Sequence, residues 1–289
     1  MDLHWQEPEL HLLTALLSRT SDKAVIDVGA ERGAFAGDLL RAGADAVHLV
    51  EPEPSNAEFL RTRFRQDPRV VVHEYAIAEA DTPLELHRST LPSGEPLTYG
   101  HTVLVRPDTD EIAWGEAIPV AGRSLASLVA AGELPARVGI LKIDTEGNDL
   151  AVVSGMGPLE SDVVMVEHWT ELPHSLGPCP WSADEMVSAL RARGFSHFVL
   201  VVHRGEVAFF KWDSPDIPRG EFGNLVFLHD RIVEDVWPLI GNCAAVTAEA
   251  AIAQLEQRLN EVEADRQLRL EAIERLDAAL KATSWGAAG

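Results

Sequence analysis

The sequence predicts an α/β fold: a mostly parallel sheet with helices on both faces, followed by a separate long helix. Three observations carry this. Runs such as "KAVIDVG" (23–29) and "SDVVMVEHW" (161–169) are largely apolar, as strands covered on both faces are. They alternate with segments of helical period, the order of βαβ units. Residues 246–283 then carry a heptad repeat that nothing before them shows.

Residues 9–19 ("ELHLLTALLSR") have helical periodicity and predict an N-terminal helical cap over 1–22. The run 23–29 is a buried strand, 34–43 a helix closed by Gly43, and 46–54 a strand stopped by two prolines. Residues 55–64 read as a helix with Ser55 as N-cap, and 69–79 as the third strand. Between 80 and 118, Pro, Thr, Asp and Gly break the alternation, which predicts an insertion or active-site loop region. A helix (123–134), a strand (138–147), a helix (148–156) and a strand (161–169) resume the pattern. Ser182 starts a helix over 182–195. The runs 197–210 and 223–230 are closing strands; no long helix joins them, which predicts an antiparallel edge. The stretch 23–240 is expected to be one domain.

In the last segment, apolar residues fall at Ile252, Leu255, Leu259 and Val262, then at Ile273, Leu276 and Leu280, and one a/d register holds throughout. Arg266 and Arg269 occupy the a and d places in the middle. A strict 3.5-residue period marks a coiled coil rather than a helix lying on a globular surface. The expectation is a coiled-coil helix over 246–283 that joins copies into a homo-oligomer or docks the chain to a larger complex. Residues 284–289 read as a tail, with "GAAG" after Trp285 as a truncation or an expression scar.

With 289 residues, 46% of them hydrophobic, the chain can bury one large core. Its formal net charge of −22 leaves no basic footprint for a nucleic-acid partner. Two cysteines, Cys179 and Cys243, with no CxxC pair argue against a disulfide framework or a thiolate zinc site. The N-terminus has neither a basic nor an apolar signal region, and no stretch of about 18 apolar residues is read. A cytoplasmic protein is expected, associated with the inner face of a membrane only through partners.

The chemistry gathers at strand ends. "AVIDVGAERGAF" (24–35) leads from a strand through Asp27 and Gly29 to Gly33. A glycine turn between strand and helix lets the backbone approach an adenine nucleotide closely. The dinucleotide pattern G-x-G-x-x-G lacks its middle and last glycines here, and a pyrophosphate would meet Asp27 and Glu31. The pattern D-x-G-x-x-x-G is intact and suits a cationic amino-acid ligand without phosphate. Glu51, 22 residues after Gly29 at the tip of the next strand, has the place of the residue that accepts both ribose hydroxyls. The cofactor-binding set is therefore Asp27, Gly29, Ala30, Gly33, Glu51 and Pro52, with Glu74 and Ala76 near the base and Asp144 at the end of a central strand. A bare tight turn and an NAD-dependent oxidoreductase are the competing readings of this loop.

"VIDVGAERGAFA" with "HLVEPEPSNAEFL", and "LKIDTEGNDLAVVSGM" followed by "VVMVEHW", resemble the FkbM family of S-adenosylmethionine-dependent methyltransferases over about residues 23–230. The specific part is K-I-D-x-E-G followed by a helix ending in Gly-Met; Asp149 stands where the family carries an acidic residue. The resemblance implies a Rossmann-like class I methyltransferase fold with a mostly parallel seven-stranded sheet. It implies S-adenosyl-L-methionine as methyl donor and O-methylation of a hydroxyl. The region 80–118 matches loosely, so no acceptor site carries over.

Methyl transfer to a hydroxyl needs the oxygen held in line and its proton removed. The candidate catalytic residues are His168, Asp144 and Glu146, at strand ends facing the cofactor; an imidazole such as that of His168 titrates near neutral pH. Asp144 is read as a cofactor or substrate contact rather than the base. No metal site is assigned: Asp144, Glu146 and His168 suit Mg²⁺ or Mn²⁺, but nothing in their spacing demands an ion. His101 is a candidate for the acceptor pocket and Trp169 for stacking on a sugar face. The ending "LDAALKATSW" resembles the end of coiled coils in bacterial surface-polysaccharide enzymes. The expected acceptor is accordingly a glycan hydroxyl, in O-antigen, capsule or similar synthesis. A polyketide or other secondary metabolite is the alternative acceptor, and a non-catalytic coiled-coil scaffold the alternative role.

Overall fold

The computed structural model describes residues 8–204 and 207–285. It divides into two compact units, Met1–Ala244 and Ala245–Gly289. The chain begins with α1 (Pro8–Leu17), β1 (Ala24–Val28), α2 (Ala34–Arg41), β2 (Ala46–Val50), α3 (Pro54–Phe64) and β3 (Val70–His73). Next come β4 (Ala76–Ile77), β5 (Thr82–Thr90), β6 (Ala113–Arg123), α4 (Leu125–Ala130), β7 (Arg137–Ile143), α5 (Asp149–Ser154) and β8 (Glu160–Trp169). A short ribbon of β9 (Glu171–Leu172) and β10 (Gly177–Pro178) precedes α6 (Ala183–Arg191). β11 (His197–Arg204), β12 (Val207–Trp212), β13 (Phe222–Leu228) and α7 (Val233–Trp285) follow.

The main sheet has the order β12-β11-β13-β8-β7-β1-β2-β3. β8, β7, β1, β2 and β3 run parallel. β13 is antiparallel to β8, and β11 and β12 extend that antiparallel edge. Alternate residues of one strand enter opposite cores, which is why the runs are apolar throughout. Ile26 and Val28 join Leu128, Val152 and Leu190 under α4, α5 and α6, whereas Val25 joins Leu13, Leu39 and Leu60 under α1, α2 and α3. The antiparallel edge is as expected, but the sheet has eight strands rather than seven. The additional strand comes from 197–210, read as one closing strand in sequence, which holds β11 and the start of β12 as an antiparallel pair.

Other elements also depart from expectation. The segment 69–79 is two strands: β3 stays in the main sheet, and β4 joins a second sheet of order β4-β6-β5. The stretch 80–118 is therefore not all loop; it supplies β5 and half of β6. β5 looks like loop in sequence because it is polar and buries only Leu86 and Ser89. The N-cap of α3 is Glu53 rather than Ser55: its carboxylate accepts the Asn56 N–H at 2.9 Å, with Pro54 in the first turn. Ser182 does cap α6, in a capping box with Glu185.

α7 starts at Val233, ahead of the expected 246, and continues through Pro238. Burial of Val236 and Ile240 in the domain core offsets the hydrogen bond that a helical proline loses. Within the second unit, Ile252, Leu255, Leu259, Val262 and Ile273 are exposed. Among the described residues, one helical stretch, Val233–Ile273, holds a window of mean hydropathy 1.3 and is a candidate span by length and composition only, which is weak evidence for a membrane segment. Residues 1–7 of the expected cap and 286–289 of the expected tail lie outside the described residues.

Candidate active site at the switch point of the sheet

β1 is where the path across the sheet reverses: β2 and β3 lie on one side of it, β7 and β8 on the other. In open α/β sheets this switch point leaves a crevice at the carboxyl ends of the strands. Here it is a cleft of about 700 Å³, open mouth included. Gly29 after β1, Glu51 and Pro52 after β2, Tyr75 and Ala76 after β3, and Asp144 to Glu146 after β7 line it. A strap from the insertion, Thr98 to His101, lines it as well. The strap is tied down by Thr98 Oγ1, which donates to Glu31 at 2.9 Å, and by the Asn56 side-chain amide, which donates to the Thr98 carbonyl at 2.8 Å.

Gly29 sits at φ +77°, and a Cβ there would run into the Asp144 carbonyl oxygen. Only glycine lets the ends of β1 and β7 approach so closely. Gly33, at φ +73°, is the left-handed N-cap of α2, and a Cβ there would press on Leu60 and Phe64 at 2.8 Å. Gly33 and the buried Ala30 thus shape the turn and do not line the cleft, contrary to the expectation; Glu31, at φ +49°, does.

Glu51 is 5% exposed. Its Oε2 accepts the Glu31 N–H and its Oε1 the Glu53 N–H, both at 2.8 Å. Burial pushes its carboxyl up to about 7, against the pull of those two donors. Each oxygen retains a lone pair for a hydroxyl in the cleft.

Asp27 does not reach the cleft. It is 1% exposed and ion-paired with Lys142 Nζ at 2.9 Å. Burial raises its carboxyl while Lys142 pulls it down. Lys142 also donates to the Gly29 carbonyl at 3.3 Å and lies 3.4 Å from Asp144 Oδ2. Asp27 therefore ties the ends of β1 and β7 together instead of gripping a ligand, which corrects its assigned role. Glu74 is also displaced from its expected place: it is exposed, pairs with Arg61 at 2.7 Å, and leaves Tyr75 beside Ala76 in the cleft.

Among the expected catalytic residues, Asp144 and Glu146 line the cleft. Glu146 is left-handed at φ +55°, a strained setting for a non-glycine residue, and Arg106 donates to its carbonyl at 3.1 Å. Burial, then Asp144 and Asp149, raise the Glu146 carboxyl. Asp149 is fully buried and accepts the Gly147 N–H at 3.1 Å, which pins this turn; burial pushes its carboxyl up to about 7.

His168 does not join them. It is 2% exposed, stacks on Trp181 at 4.9 Å between ring centres, and burial lowers its imidazole to about 4. Strand parity explains the correction, because neighbours on β8 point to opposite faces. The next residue back, Glu167, meets Asp144 and Glu146, each of the three offering an oxygen within 4.8 Å of the others. Sequence reasoning misses Glu167, although the β7–β8 register, Ile143 opposite Val166, puts Asp144 beside it one step on. It also misses Glu31, Tyr75 and Arg106. His101 does line the cleft, with its Nδ1 accepting the Ser89 N–H at 3.1 Å. Trp169 is fully buried, its indole N–H donating to the Gly177 carbonyl at 3.1 Å, so it offers no face to a sugar.

The family model for the methyltransferase FkbM domain matches residues 27–196. A ribosomal RNA small subunit methyltransferase A from Synechococcus sp. (strain CC9605) is 36% identical over 85 residues, which is 29% of this chain and 30% of that protein. The chain thus spans under a third of the length of that curated relative. Similar solved structures include the N-terminal domain of EvdMO1 in the presence of SAH and D-fucose, with a TM-score of 0.43 and 10% identity over 79% of this chain and 84% of that one. The N-methyltransferase NodS from Bradyrhizobium japonicum WM9 has a TM-score of 0.42 and 7% identity over 79% and 98% of the two chains.

Proposed function

The chain belongs to the FkbM methyltransferase family, whose class uses S-adenosylmethionine, and we propose that it methylates a hydroxyl, specifically a sugar hydroxyl of a bacterial glycan. The observation that carries the cofactor reading is Glu51, oriented by two backbone N–H groups at the tip of β2 and open to the cleft. The charge of the cleft supports it. Glu31, Glu51, Asp144 and Glu146 line it, with no lysine or arginine among the lining residues. Such a cleft suits a sulfonium and an ammonium and repels the pyrophosphate of NAD.

Glu51 takes the two ribose hydroxyls. Tyr75, Ala76 and Ile77 supply an apolar bed for the base, and Gly29 and Asp144 receive the amino-acid end. When bound, S-adenosylmethionine would supply a sulfonium methyl group for the acceptor oxygen, with the neutral thioether as leaving group. Glu146 takes the hydroxyl proton; its raised carboxyl is suited to holding one near neutral pH. His101 lines the same cleft and is available to the acceptor.

The glycan reading rests on the heptad segment and its ending, and so does self-association through 246–283, on the cytoplasmic side of a membrane. An RNA acceptor, as the name of the ribosomal RNA methyltransferase would suggest, is disfavoured by the net charge of −22. Calorimetric titration tests the cofactor, with binding expected for S-adenosylhomocysteine and none for NAD. Labelled donor with glycans and with small polyketide alcohols tests the acceptor; transfer to the alcohols alone would reject the glycan.

A further inference from the structure

We propose that Asp144, Glu146 and Glu167 form a binding site for one hard divalent cation at the edge of the cleft. The three side chains come from adjacent strand ends: Asp144 and Glu146 follow β7, and Glu167 lies near the end of β8. Each offers one carboxylate oxygen, and the three oxygens lie within 4.8 Å of one another. Ligands about 2.1 Å from Mg²⁺ or Mn²⁺ lie at most about 4.2 Å apart, and those about 2.4 Å from Ca²⁺ at most about 4.8 Å apart. Small side-chain movements therefore close the cluster on an ion. An all-oxygen set selects Mg²⁺, Ca²⁺ or Mn²⁺ over softer metals.

Acidic residues often cluster without an ion, so a second observation matters here. Glu167 Oε2 is buried and has no hydrogen-bond partner among the described residues. A buried carboxylate oxygen left unpaired is costly, and a cation in the cluster supplies the missing partner. The nearby cationic groups are already engaged. Lys142 is shared between Asp27, the Gly29 carbonyl and Asp144. Arg106 donates to the carbonyls of Leu176 and Glu146. With Asp149 behind the turn, the carboxyl groups of Asp27, Asp144, Glu146, Asp149 and Glu167 share Lys142 and Arg106.

The inference deepens the proposed reading of the same site. Coordination positions that the protein leaves open would take water or acceptor oxygens. Binding of the ion does not depend on that reading.

The test uses the full chain, stripped of metal by a chelator and titrated with Mn²⁺ while electron paramagnetic resonance follows the free ion. One Mn²⁺ per chain is expected, displaced by Mg²⁺ or Ca²⁺ and bound at least tenfold more weakly by Glu167→Gln. S-adenosylhomocysteine titrated in parallel reports the cofactor site separately, because Glu167 is not among the residues lining the cleft. No Mn²⁺ binding at millimolar concentration, or unchanged affinity in Glu167→Gln, overturns the proposal even where S-adenosylhomocysteine binds. If Glu167→Gln does not fold, Glu167→Asp, which draws the carboxylate back from the cluster, is read in the same way, with the same tenfold loss expected.

Discussion

Replacing Glu51 by glutamine perturbs the residue that the proposed reading assigns to the cofactor's ribose. The carboxylate accepts two backbone N–H groups at 2.8 Å, one on each oxygen. Glutamine keeps one acceptor and turns an NH₂ toward the other backbone donor, so one hydrogen bond becomes a donor–donor contact. The ribose loses its charged partner as well. Hydrogen bonds to charged groups contribute about 1.5–3 kcal/mol each, so two ribose hydroxyls account for about 3–6 kcal/mol, or roughly a hundred- to ten-thousandfold in affinity. Calorimetry with S-adenosylhomocysteine measures this, with a urea melt to verify that the variant is folded. The pH profile adds a second readout. The carboxyl sits near 7 in the free protein, and only its ionised form accepts both hydroxyls. Affinity therefore falls as pH drops through 7 and levels off above it, to be about thirtyfold weaker at pH 5.5 than at pH 8. The slope disappears in Glu51→Gln. A dissociation constant within about threefold of wild type in the folded variant, well inside that range, would refute the ribose assignment.

Four further outcomes follow from the same geometry. Gly29→Ala forces a Cβ against the Asp144 carbonyl at a left-handed φ of +77°; a loss of at least about 2 kcal/mol in urea denaturation is expected, and a neutral result would mean that β1 and β7 approach less closely. His168→Phe keeps a ring against Trp181 outside the cleft; turnover stays within about fivefold of wild type, whereas a hundredfold loss in a folded variant would restore the imidazole to catalysis. His48 stacks on His73 at 5.3 Å, and burial lowers its imidazole from 6.5 to about 4. The neutral form is favoured in the fold, so stability is full above pH 6.5 and drops as pH falls toward 4, by about 1–2 kcal/mol once solvent screening of the partly exposed ring is allowed for; melts at pH 7.5 and 5 should show a smaller drop for His48→Val. Leu255→Asp with Leu259→Asp, two exposed seam positions, should convert an oligomer to a monomer in light scattering, and a monomeric wild type would overturn the coil.

The frame of the sheet is legible because a strand buried on both faces leaves an unbroken apolar run, as in β1, β7 and β8. The same property hides the division of 197–210, where two largely apolar runs flank a short polar stretch and pair as β11 and β12. Glu51 is legible because its place depends on spacing from a glycine turn. Asp27 is not, because an acid at a strand end looks the same whether it meets a ligand or a neighbouring lysine. Register decides that: Asp27 lies opposite Lys142 across β1 and β7. The choice between Glu167 and His168 is likewise one of parity, fixed only when β8 is set against β7. The strap at 98–101 leaves no trace in any periodicity, since it is irregular and held by side-chain hydrogen bonds.

The acids at the strand tips are sorted by what surrounds each of them. Asp27 is neutralised by Lys142. Glu51 is held by backbone amides in a setting that still raises its carboxyl to about 7. A carboxyl raised in the folded state binds protons more tightly there than in the unfolded chain. Its contribution to stability is therefore lost as pH rises from the ordinary carboxylate range toward 7. At neutral pH the ligand-free cleft thus carries unfavourable electrostatics that its contacts do not reveal. On the proposed reading, a sulfonium nucleoside would reverse this by bringing positive charge to Asp144 and Glu146 and hydroxyl donors to Glu51. Binding and folding are linked, so the domain that binds this ligand is stabilised in proportion to the logarithm of its concentration over the dissociation constant. The cost of keeping acids in a half-buried cleft is then what makes it selective: an anionic dinucleotide would add to the repulsion that the cationic donor removes.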